Sequence, residues 1–380
     1  MIDAPVPDRA ELGLARVEVR DGPGAGGDRL GGRLRGERHR RGVEVEPESL
    51  VVHAPHELEP LLRRRHEVAI VAGRVGLDGE DDPALARRVR DADLLIVIGA
   101  RLGEITTGGY TLVTPPVPRQ TLVHVHADAE ELGRVYSARL PINSGVAQFL
   151  AAARSQKADG SRWRDWARAA RADYEAWSAP RPMPGRVQLG EIVRWLSDTL
   201  PEDAVLANGA GNFAVWLTRH FRYKGYRTQL APTSGSMGYG LPAAVAASIA
   251  APGRAVLAWC GDGDFLMNGQ EFATAAQYGA APIAVVVNNG MYGTIRMHQE
   301  REYPARVSGT ELRNPDFAAY ARAFGGHGEL VEETAQFAPA FERARASGKP
   351  ALIEVRIDPE AISPSATLSG LRAAALGRGA

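Results

Sequence analysis

The chain has 380 residues, enough for two or three domains, and its 44% hydrophobic content is typical of a soluble globular protein. Its 45 basic and 45 acidic residues give a formal net charge of zero, so charge favours neither nucleic acid nor an acidic membrane surface as a partner. With one cysteine, no secretory signal pattern and no apolar run long enough to span a bilayer, the sequence predicts a cytoplasmic protein without internal disulfides or membrane spans.

The least regular part of the sequence is residues 1–75. Within it, residues 21–42 are rich in glycine, arginine and acidic residues and have neither a helical nor a strand period. A basic arm that binds nucleic acid is disfavoured, because no aromatic residues are interleaved and the acidic residues dilute the charge.

Regular patterns begin near residue 81. They predict a helix at 83–89, buried strands at 94–99 and 121–125, and a helix at 128–136. His124 and His126 share one face of the second strand and could bind a metal, but no third ligand is evident and a structural role is favoured.

A helix and a linker follow. Aromatic residues at helical spacing predict a helix at 161–177 that packs on a domain. The proline-rich residues 179–185 then form the clearest domain boundary in the sequence.

After the linker, short apolar runs alternate with helical patterns, which predicts a parallel sheet with helices on both faces. The predicted elements are helices at 189–200, 213–221, 240–250 and 314–323 and strands at 204–207, 255–260, 283–287 and 350–357.

Capping residues locate the remaining elements. A helix is expected after Asn268, since Glu271 stands three residues later and completes the pattern of a capping box. Asn314 or Asp316 is expected to cap the helix at 314–323. His327 is placed in the turn after that helix, and the tail beyond residue 363 is expected to be frayed.

Polar residues follow two of the predicted strands at the point where each ends. Asp262 follows strand 255–260 and Asn289 follows strand 283–287. A strand–helix–strand unit makes these strands parallel, and ligands of such sheets bind at the carboxyl ends of the strands. Carboxylate and amide oxygens suit magnesium or calcium, while Gly261 and Gly263 let backbone N–H groups approach an anion. Each motif alone is usually only a turn, but together they indicate a metal-bound diphosphate.

A weaker signal for an anion lies before residue 213. The sequence Asn-Gly-Ala-Gly at 208–211 joins a predicted strand to a predicted helix, where backbone donors and the positive end of the helix dipole are available.

These motifs resemble one known family. The Gly261-Asp262-Gly263 sequence, the helix after it and Asn288-Asn289 closely resemble the thiamin diphosphate motif of the acetolactate synthase and 2-keto acid decarboxylase family. Residues 233–244 are a second strong match. The resemblance extends over about residues 91–372 and is most specific at 206–299. It implies an α/β fold: a doubly wound parallel sheet that binds thiamin diphosphate, preceded by a partial α/β middle domain.

The resemblance implies a magnesium site and a diphosphate site. Asp262, the Asn289 side chain and the Met291 backbone carbonyl would bind magnesium. Gly263 and Asp264, next to Gly261, would present N–H groups to the diphosphate.

It also implies contacts around the rest of the cofactor. Met237 would support the bent cofactor, and the Gly235 carbonyl would accept a hydrogen bond from the aminopyrimidine. Residues 211–213 lie where relatives carry Gly-Gln-His near the diphosphate: Gly211 matches, Asn212 could keep a polar contact, and Phe213 could not replace the histidine. His298 could contact substrate or transfer a proton, or it could be an ordinary loop residue.

The family pattern divides the chain into five segments. These are a degraded start of the middle domain at 1–75, its later half at 76–155, a helix and linker at 156–186, the C-terminal thiamin diphosphate-binding domain at 187–365, and a tail at 366–380. No segment matches the family's pyrimidine-binding domain, whose glutamate activates the cofactor, usually from a neighbouring subunit. We hypothesise that residues 1–75 derive from a frameshifted or mis-started gene. Some relatives bind a flavin or ADP in the middle domain, but nothing in this sequence requires it.

The implied function is that of a lyase or transferase, or a subunit of one, that uses thiamin diphosphate and magnesium on 2-keto acids as acetolactate synthase does. It would work as a homo-oligomer or with a partner chain that carries a pyrimidine-binding domain and its glutamate. The alternatives are a truncated, catalytically silent relative and a simple 2-keto acid decarboxylase similar to benzoylformate decarboxylase.

Overall fold

The computed structural model describes residues 68–72, 83–154 and 160–378. These residues form two compact units, and the division falls after Ala170, inside the predicted helix and linker segment at 156–186. The predicted irregular segment and its frameshift interpretation lie outside the described residues, except for a strand at Val68–Ala72.

The first unit is built on a parallel sheet whose strands follow one another in chain order. The strands are β1 (Val68–Ala72), β2 (Leu94–Ile98), β3 (Thr121–His126) and β4 (Leu140–Asn143), and the helices are α1 (Pro83–Asp91) and α2 (Val146–Ala153). Alternate residues of β2 enter different core clusters, with Leu95 and Val97 in one and Leu94 and Ile96 in the other. Burial on both faces is what continuous apolar runs predict for a parallel sheet.

The predicted helix at 128–136 is wrong. The structure has only a short 3₁₀ turn, Ala129–Glu131, in which the Asp128 side chain accepts a hydrogen bond from Glu130 N at 3.0 Å. Gly133 follows with a positive φ of 80°, a conformation that ends the helical path.

His124 makes a structural contact in this unit. The side chain is 2% exposed, and its Nε2 lies 2.9 Å from the carbonyl oxygen of Ala100. Burial lowers the pKa of His124 below its ordinary value. The contact joins β3 to the loop that follows β2.

The predicted helix at 161–177 appears as a 3₁₀ turn, Gly160–Trp163, followed by α3 (Arg164–Ser178). The carboxyl end of α3 is held within the second unit. Arg219 donates from Nε to the Trp177 carbonyl at 2.9 Å, and its guanidinium lies 3.6 Å from the centre of the Trp177 ring. His220 Nδ1 lies 2.9 Å from the Ser178 carbonyl oxygen.

The second unit contains a six-stranded, all-parallel sheet. Its strands are β5 (Val205–Asn208), β6 (Gln229–Leu230), β7 (Val256–Gly261), β8 (Ile283–Asn288), β9 (His327–Val331) and β10 (Ala351–Arg356), and they lie in the order β6-β5-β7-β8-β10-β9. A small antiparallel pair joins β11 (Ala361–Ser363) to β12 (Ala366–Thr367). The four strands predicted for this unit are found to within one residue.

Helices cover both faces of this sheet. They are α4 (Leu189–Thr199), α5 (Phe213–His220), α6 (Gly240–Ala250), α7 (Asp262–Asn268), α8 (Phe272–Gln277), α9 (Gly293–Glu302), α10 (Phe317–Ala323), α11 (Thr334–Ala346) and α12 (Leu368–Arg378). One core packs α4, α5 and α11 against residues such as Leu257 and Trp259, and the other packs α6, α8 and α10 against Ala258 and Cys260. The fold is therefore α/β, as expected.

The capping box predicted at Asn268 and Glu271 is wrong. A 3₁₀ turn, Gly269–Glu271, and α8 do follow Asn268 as expected, but the Asn268 side chain makes no capping hydrogen bond. Asn268 is also the last residue of α7, a helix that begins directly after β7 at Asp262. The Glu271 carboxylate accepts a hydrogen bond from the Thr274 hydroxyl at 2.7 Å instead. At α10 the expected cap is confirmed for Asp316, which accepts from Ala319 N at 2.8 Å.

Two further expectations are corrected. His327 is the first residue of β9 rather than part of a turn. Residues 366–378 are not frayed but form β12 and α12. Leu368 and Leu371 of this segment pack with Met297 and Ile362.

An ion cluster fixes α12 to α9. The Glu300 side chain is 1% exposed and accepts hydrogen bonds from Arg372 at 2.6 and 2.8 Å and from Arg296 at 2.7 and 3.0 Å. Hydrogen bonds from Arg372 are the largest cause that lowers the pKa of Glu300 from its ordinary 4.5 to about 2.

We therefore predict a pH-dependent effect of Glu300→Gln. Because the pKa of Glu300 is lower in the folded chain, its stabilisation is complete above about pH 4.5 and is lost as pH falls towards 2. At pH 7 the variant should lose about 2 kcal/mol of unfolding free energy, and this difference from wild type should shrink between pH 5 and pH 3. Thermal unfolding across this pH range measures it. Glu342→Gln, which removes a more exposed ion pair with Arg345, is the control, and an equal loss at pH 7 and pH 3 would contradict the prediction.

Candidate active site

The carboxyl ends of β5, β7 and β8 open into a cavity of about 230 Å³. The predicted site residues come together there, with the exception of His298. Those that line the cavity are Gly211, Asn212, Gly235, Met237, Gly261, Asp262, Gly263, Asp264, Asn289 and Met291. His298 lies on an exposed part of α9 and is not among the described residues that line the cavity.

The Asp262 carboxylate is buried in the wall of the cavity. The residue is 3% exposed. Its Oδ1 accepts from Gly263 N at 2.9 Å, and its Oδ2 accepts from Gly290 N at 2.9 Å and from Asn314 Nδ2 at 2.7 Å. Burial raises the pKa of Asp262 above its ordinary value, although the hydrogen bonds that it accepts act in the opposite direction. All these donors are neutral, so a cation would complete the compensation of the buried charge.

Asn314 contributes a contact that the sequence did not predict. Its side chain donates to Asn288 Oδ1 at 2.8 Å as well as to Asp262, and Asn288 in turn donates to Glu354 Oε1 at 2.9 Å. The Asn314 Oδ1 atom is buried and has no hydrogen-bond partner among the described residues. The sequence around Asn314 indicates only a helix start, so its contact with Asp262 depends on the tertiary fold.

Two residues with oxygen atoms suited to a hard cation line the same cavity as Asp262. Asn289 lines the cavity and its Oδ1 accepts one hydrogen bond, from Met291 N at 3.2 Å, which leaves the second lone pair of that oxygen available. Met291 also lines the cavity. Carboxylate, amide and backbone carbonyl oxygens are the ligands that magnesium and calcium prefer, so the residues present fit a divalent cation.

Along part of the cavity wall the residues are glycines, so the backbone there carries no side chains. A Cβ on Gly211 or Gly261 would come within 2.7 Å of the Phe213 ring, and one on Gly263 would lie 2.7 Å from the Tyr292 ring. These positions therefore have no room for a side chain, and the backbone can approach an anion closely. These three residues, Gly211, Gly261 and Gly263, form a glycine cradle that fits a phosphate-bearing ligand.

The Asp264 side chain joins two loops of the cavity. Its Oδ1 accepts from Ala210 N at 3.2 Å, in the loop after β5, and from Gly238 N at 2.8 Å, in the loop before α6. A Cβ on Gly209 would overlap the Asp264 carboxylate. Burial raises the pKa of Asp264 to about 6.

The Asn212 side chain is engaged with the protein. It accepts from the Thr294 hydroxyl at 2.9 Å and donates to the Ile362 carbonyl at 3.2 Å and to Met297 Sδ at 3.4 Å. Asn212 thus joins the loop after β5 to α9 and β11. Its predicted contact with a cofactor stays a prediction.

We predict that Gly263→Ala destabilises the second unit. The added Cβ would meet the Tyr292 ring at 2.7 Å and the Leu312 side chain at 3.2 Å. Such overpacking typically costs about 1–3 kcal/mol. Gly377→Ala, where the added methyl would meet open space on the exposed part of α12, should be neutral or slightly stabilising. Denaturant unfolding of both variants measures the difference, and equal stabilities would show that the wall at Gly263 is looser than the structure indicates.

Comparison with known proteins finds two family models in this chain. Residues 209–355 match the C-terminal TPP binding domain of thiamine pyrophosphate enzymes, and residues 51–153 match their central domain. The first match begins in the loop after β5 and ends in β10, so it contains most of the cavity described above.

Several curated proteins are similar to the chain. The acetolactate synthase isozyme 2 large subunit of Escherichia coli (strain K12) is 30% identical over 288 residues, which are 75% of this chain and 51% of that protein. The acetolactate synthase large subunit of Corynebacterium glutamicum is 30% identical over 288 residues, 71% of this chain and 45% of that protein. The putative thiamine pyrophosphate-containing protein YdaP of Bacillus subtilis (strain 168) is 36% identical over 176 residues, 45% of this chain and 30% of that protein.

The chain spans about half the length of the acetolactate synthase subunits that it matches. In the part of the chain that the structure describes, no helix is both long and apolar enough to cross a membrane.

Proposed function

We propose that this chain, which belongs to the thiamine pyrophosphate enzyme family, binds thiamine diphosphate and magnesium in the cavity at the ends of β5, β7 and β8 and acts on 2-keto acids. The observation that carries the proposal is the pairing of a buried carboxylate with oxygen ligands and a glycine cradle on adjacent strand ends. The similarity of the chain to acetolactate synthase large subunits supports 2-keto acids as the substrate class.

Different residues of the cavity would bind the metal ion and the diphosphate of the cofactor. Asp262, the Asn289 side chain and the Met291 carbonyl would hold magnesium, which normally keeps phosphate oxygens and water in its remaining positions. The N–H groups of Gly263 and Asp264 lie in the first turn of α7, where no earlier turn of the helix accepts them. The Gly263 N–H donates to Asp262 Oδ1, so it would have to share or leave that bond to contact the diphosphate, whereas the Asp264 N–H would contact the diphosphate directly.

The loop before α6 would hold the other end of the cofactor. The Gly235 carbonyl would accept a hydrogen bond from the aminopyrimidine, and the Met237 side chain, which is 36% exposed, would support the ring system. When bound, the cofactor supplies the electron sink for loss of carbon dioxide from a 2-keto acid, and the chain supplies its position and surroundings.

The activating glutamate would come from outside this cavity. Among the described residues that line it, Asp262 and Asp264 are the only carboxylates, and both accept hydrogen bonds from the backbone of neighbouring loops. We propose that a partner chain with a pyrimidine-binding domain brings the glutamate. Exposed apolar side chains of the cavity and of the adjacent α7 offer a surface for such contact: Met237, Ile295, Leu266 and Met267.

We predict that calorimetric titration with thiamine diphosphate detects binding that requires magnesium. Asp262→Ala should abolish it, because the variant removes the charged ligand, whereas Asp198→Ala, an ion-pair change on the partly exposed face of α4, should leave it unchanged. Binding that does not depend on magnesium, or that survives in Asp262→Ala, would contradict the assignment of the metal ligands.

We further predict that the purified chain alone does not decarboxylate pyruvate. Turnover should appear when a chain that carries a pyrimidine-binding domain is added, and the product then separates the candidate activities: acetolactate indicates carboligation, acetaldehyde simple decarboxylation. Release of carbon dioxide by the chain alone would overturn the proposal that the glutamate comes from a partner. Cofactor binding without turnover in every combination would indicate a catalytically silent relative.

A further inference from the structure

Both backbone groups of Gly238 are held by side chains of α7. The Gly238 N–H donates to Asp264 Oδ1 at 2.8 Å, and the Gly238 carbonyl accepts from Asn268 Nδ2 at 2.9 Å. The two side chains stand four residues apart on α7 and so lie on one face of the helix. Asn268 is the residue that the sequence suggested as a helix cap, and this contact is what its amide does instead.

The conformation at Gly238 leaves little freedom for a different arrangement. Its φ is 82°, in the left-handed region that favours glycine. A Cβ there would lie 2.7 Å from both Met267 Cβ and Asn268 Nδ2. The chain therefore passes in direct contact with α7 at this point.

The segment before Gly238 is exposed, and the helix after it is packed. Residues 233–237 are exposed, whereas Gly238 is buried. Gly240, the first residue of α6, is also buried, and a Cβ on it would meet Cys260 Sγ and Gly209 N at 2.9 Å. Gly238 is thus the place where the segment with Gly235 and Met237 joins the fixed part of the fold.

We propose that Asp264 and Asn268 are positioning residues that hold the 233–237 segment, and with it Met237, at a set distance from the diphosphate end of the cavity. The inference rests on the proposed function, because it concerns how the thiamine end of the cofactor is bound. One helix carries the metal ligand Asp262 at its first residue and the Gly238 contacts at its third and seventh residues. The same helix therefore carries the proposed metal ligand and holds the segment that would bind the thiamine end of the cofactor.

A purely structural role for Asn268 makes a different prediction. If Asn268 only stabilised α7, its loss would weaken every interaction that depends on the helix, including the binding of magnesium and a diphosphate. If it positions the 233–237 segment, its loss should weaken the binding of thiamine diphosphate and leave the binding of inorganic pyrophosphate with magnesium unchanged.

The test uses Asn268→Asp, which keeps the size of the side chain and removes the donor to the Gly238 carbonyl. Gln277→Glu, the same chemical change at the exposed end of α8, is the matched control, and Asn268→Ala is a second variant without added charge. Hydrogen–deuterium exchange of the protein without ligands follows the amides of residues 233–239. Calorimetry compares thiamine diphosphate with inorganic pyrophosphate, both with magnesium.

In the Asn268 variants, we expect faster exchange at 233–239 and about tenfold weaker binding of thiamine diphosphate, as follows from an unpaired buried carbonyl. Pyrophosphate binding should stay within about twofold of wild type in every variant. Unchanged exchange, or a parallel loss of both ligands, would overturn the positioning role. If wild type binds neither ligand, the proposed function is wrong, and the exchange measurement alone then decides whether α7 holds the segment.

Discussion

The second unit depends on a buried charge, the Asp262 carboxylate at the point where β7 becomes α7. A carboxylate that is 3% exposed must be compensated by hydrogen bonds or by an opposite charge. Here its donors come from α7, from the loop after β8 and from Asn314 before α10. Because each loop must present a donor to the same two oxygen atoms, the carboxylate fixes how these loops converge. The backbone at Gly263 and Gly290 is placed as a result.

Local patterns were sufficient for most of the second sheet but not for its details. Strands such as β7 and β8 are continuous apolar runs between turn residues, and a strand buried on both faces requires this pattern. The short β6 and the polar β9 were not predicted, since their residues are not apolar enough to stand out. The helix expected at 128–136 does not form, because Gly133 has a positive φ that the sequence could not reveal.

The candidate site shows the same division between local and tertiary information. Asp262 and Asn289 were found because residues that end adjacent parallel strands must meet at one edge of the sheet. Asn314 was missed as a contact of Asp262, because the two residues are 52 positions apart and no local rule connects them. Asn212 was expected at the cofactor, and the structure shows its amide bonded to Thr294, Met297 and Ile362. A polar residue in a glycine-rich turn can be recognised from sequence, but its partners cannot.

The length of α7 has a consequence for how this region can vary. Its seven residues place Asp262, Asp264 and Asn268 in contact with four separate segments of the chain, at Ala210, Gly238, Gly290 and Asn314. Each helical residue turns the chain by about 100°, so one inserted or deleted residue would rotate Asn268 away from Gly238 while Asp262 stayed in place. Side chains on the exposed part of α7, such as Leu266, can be exchanged without this penalty. Descendants of this sequence should therefore tolerate replacements in α7 far more readily than any change in its number of residues.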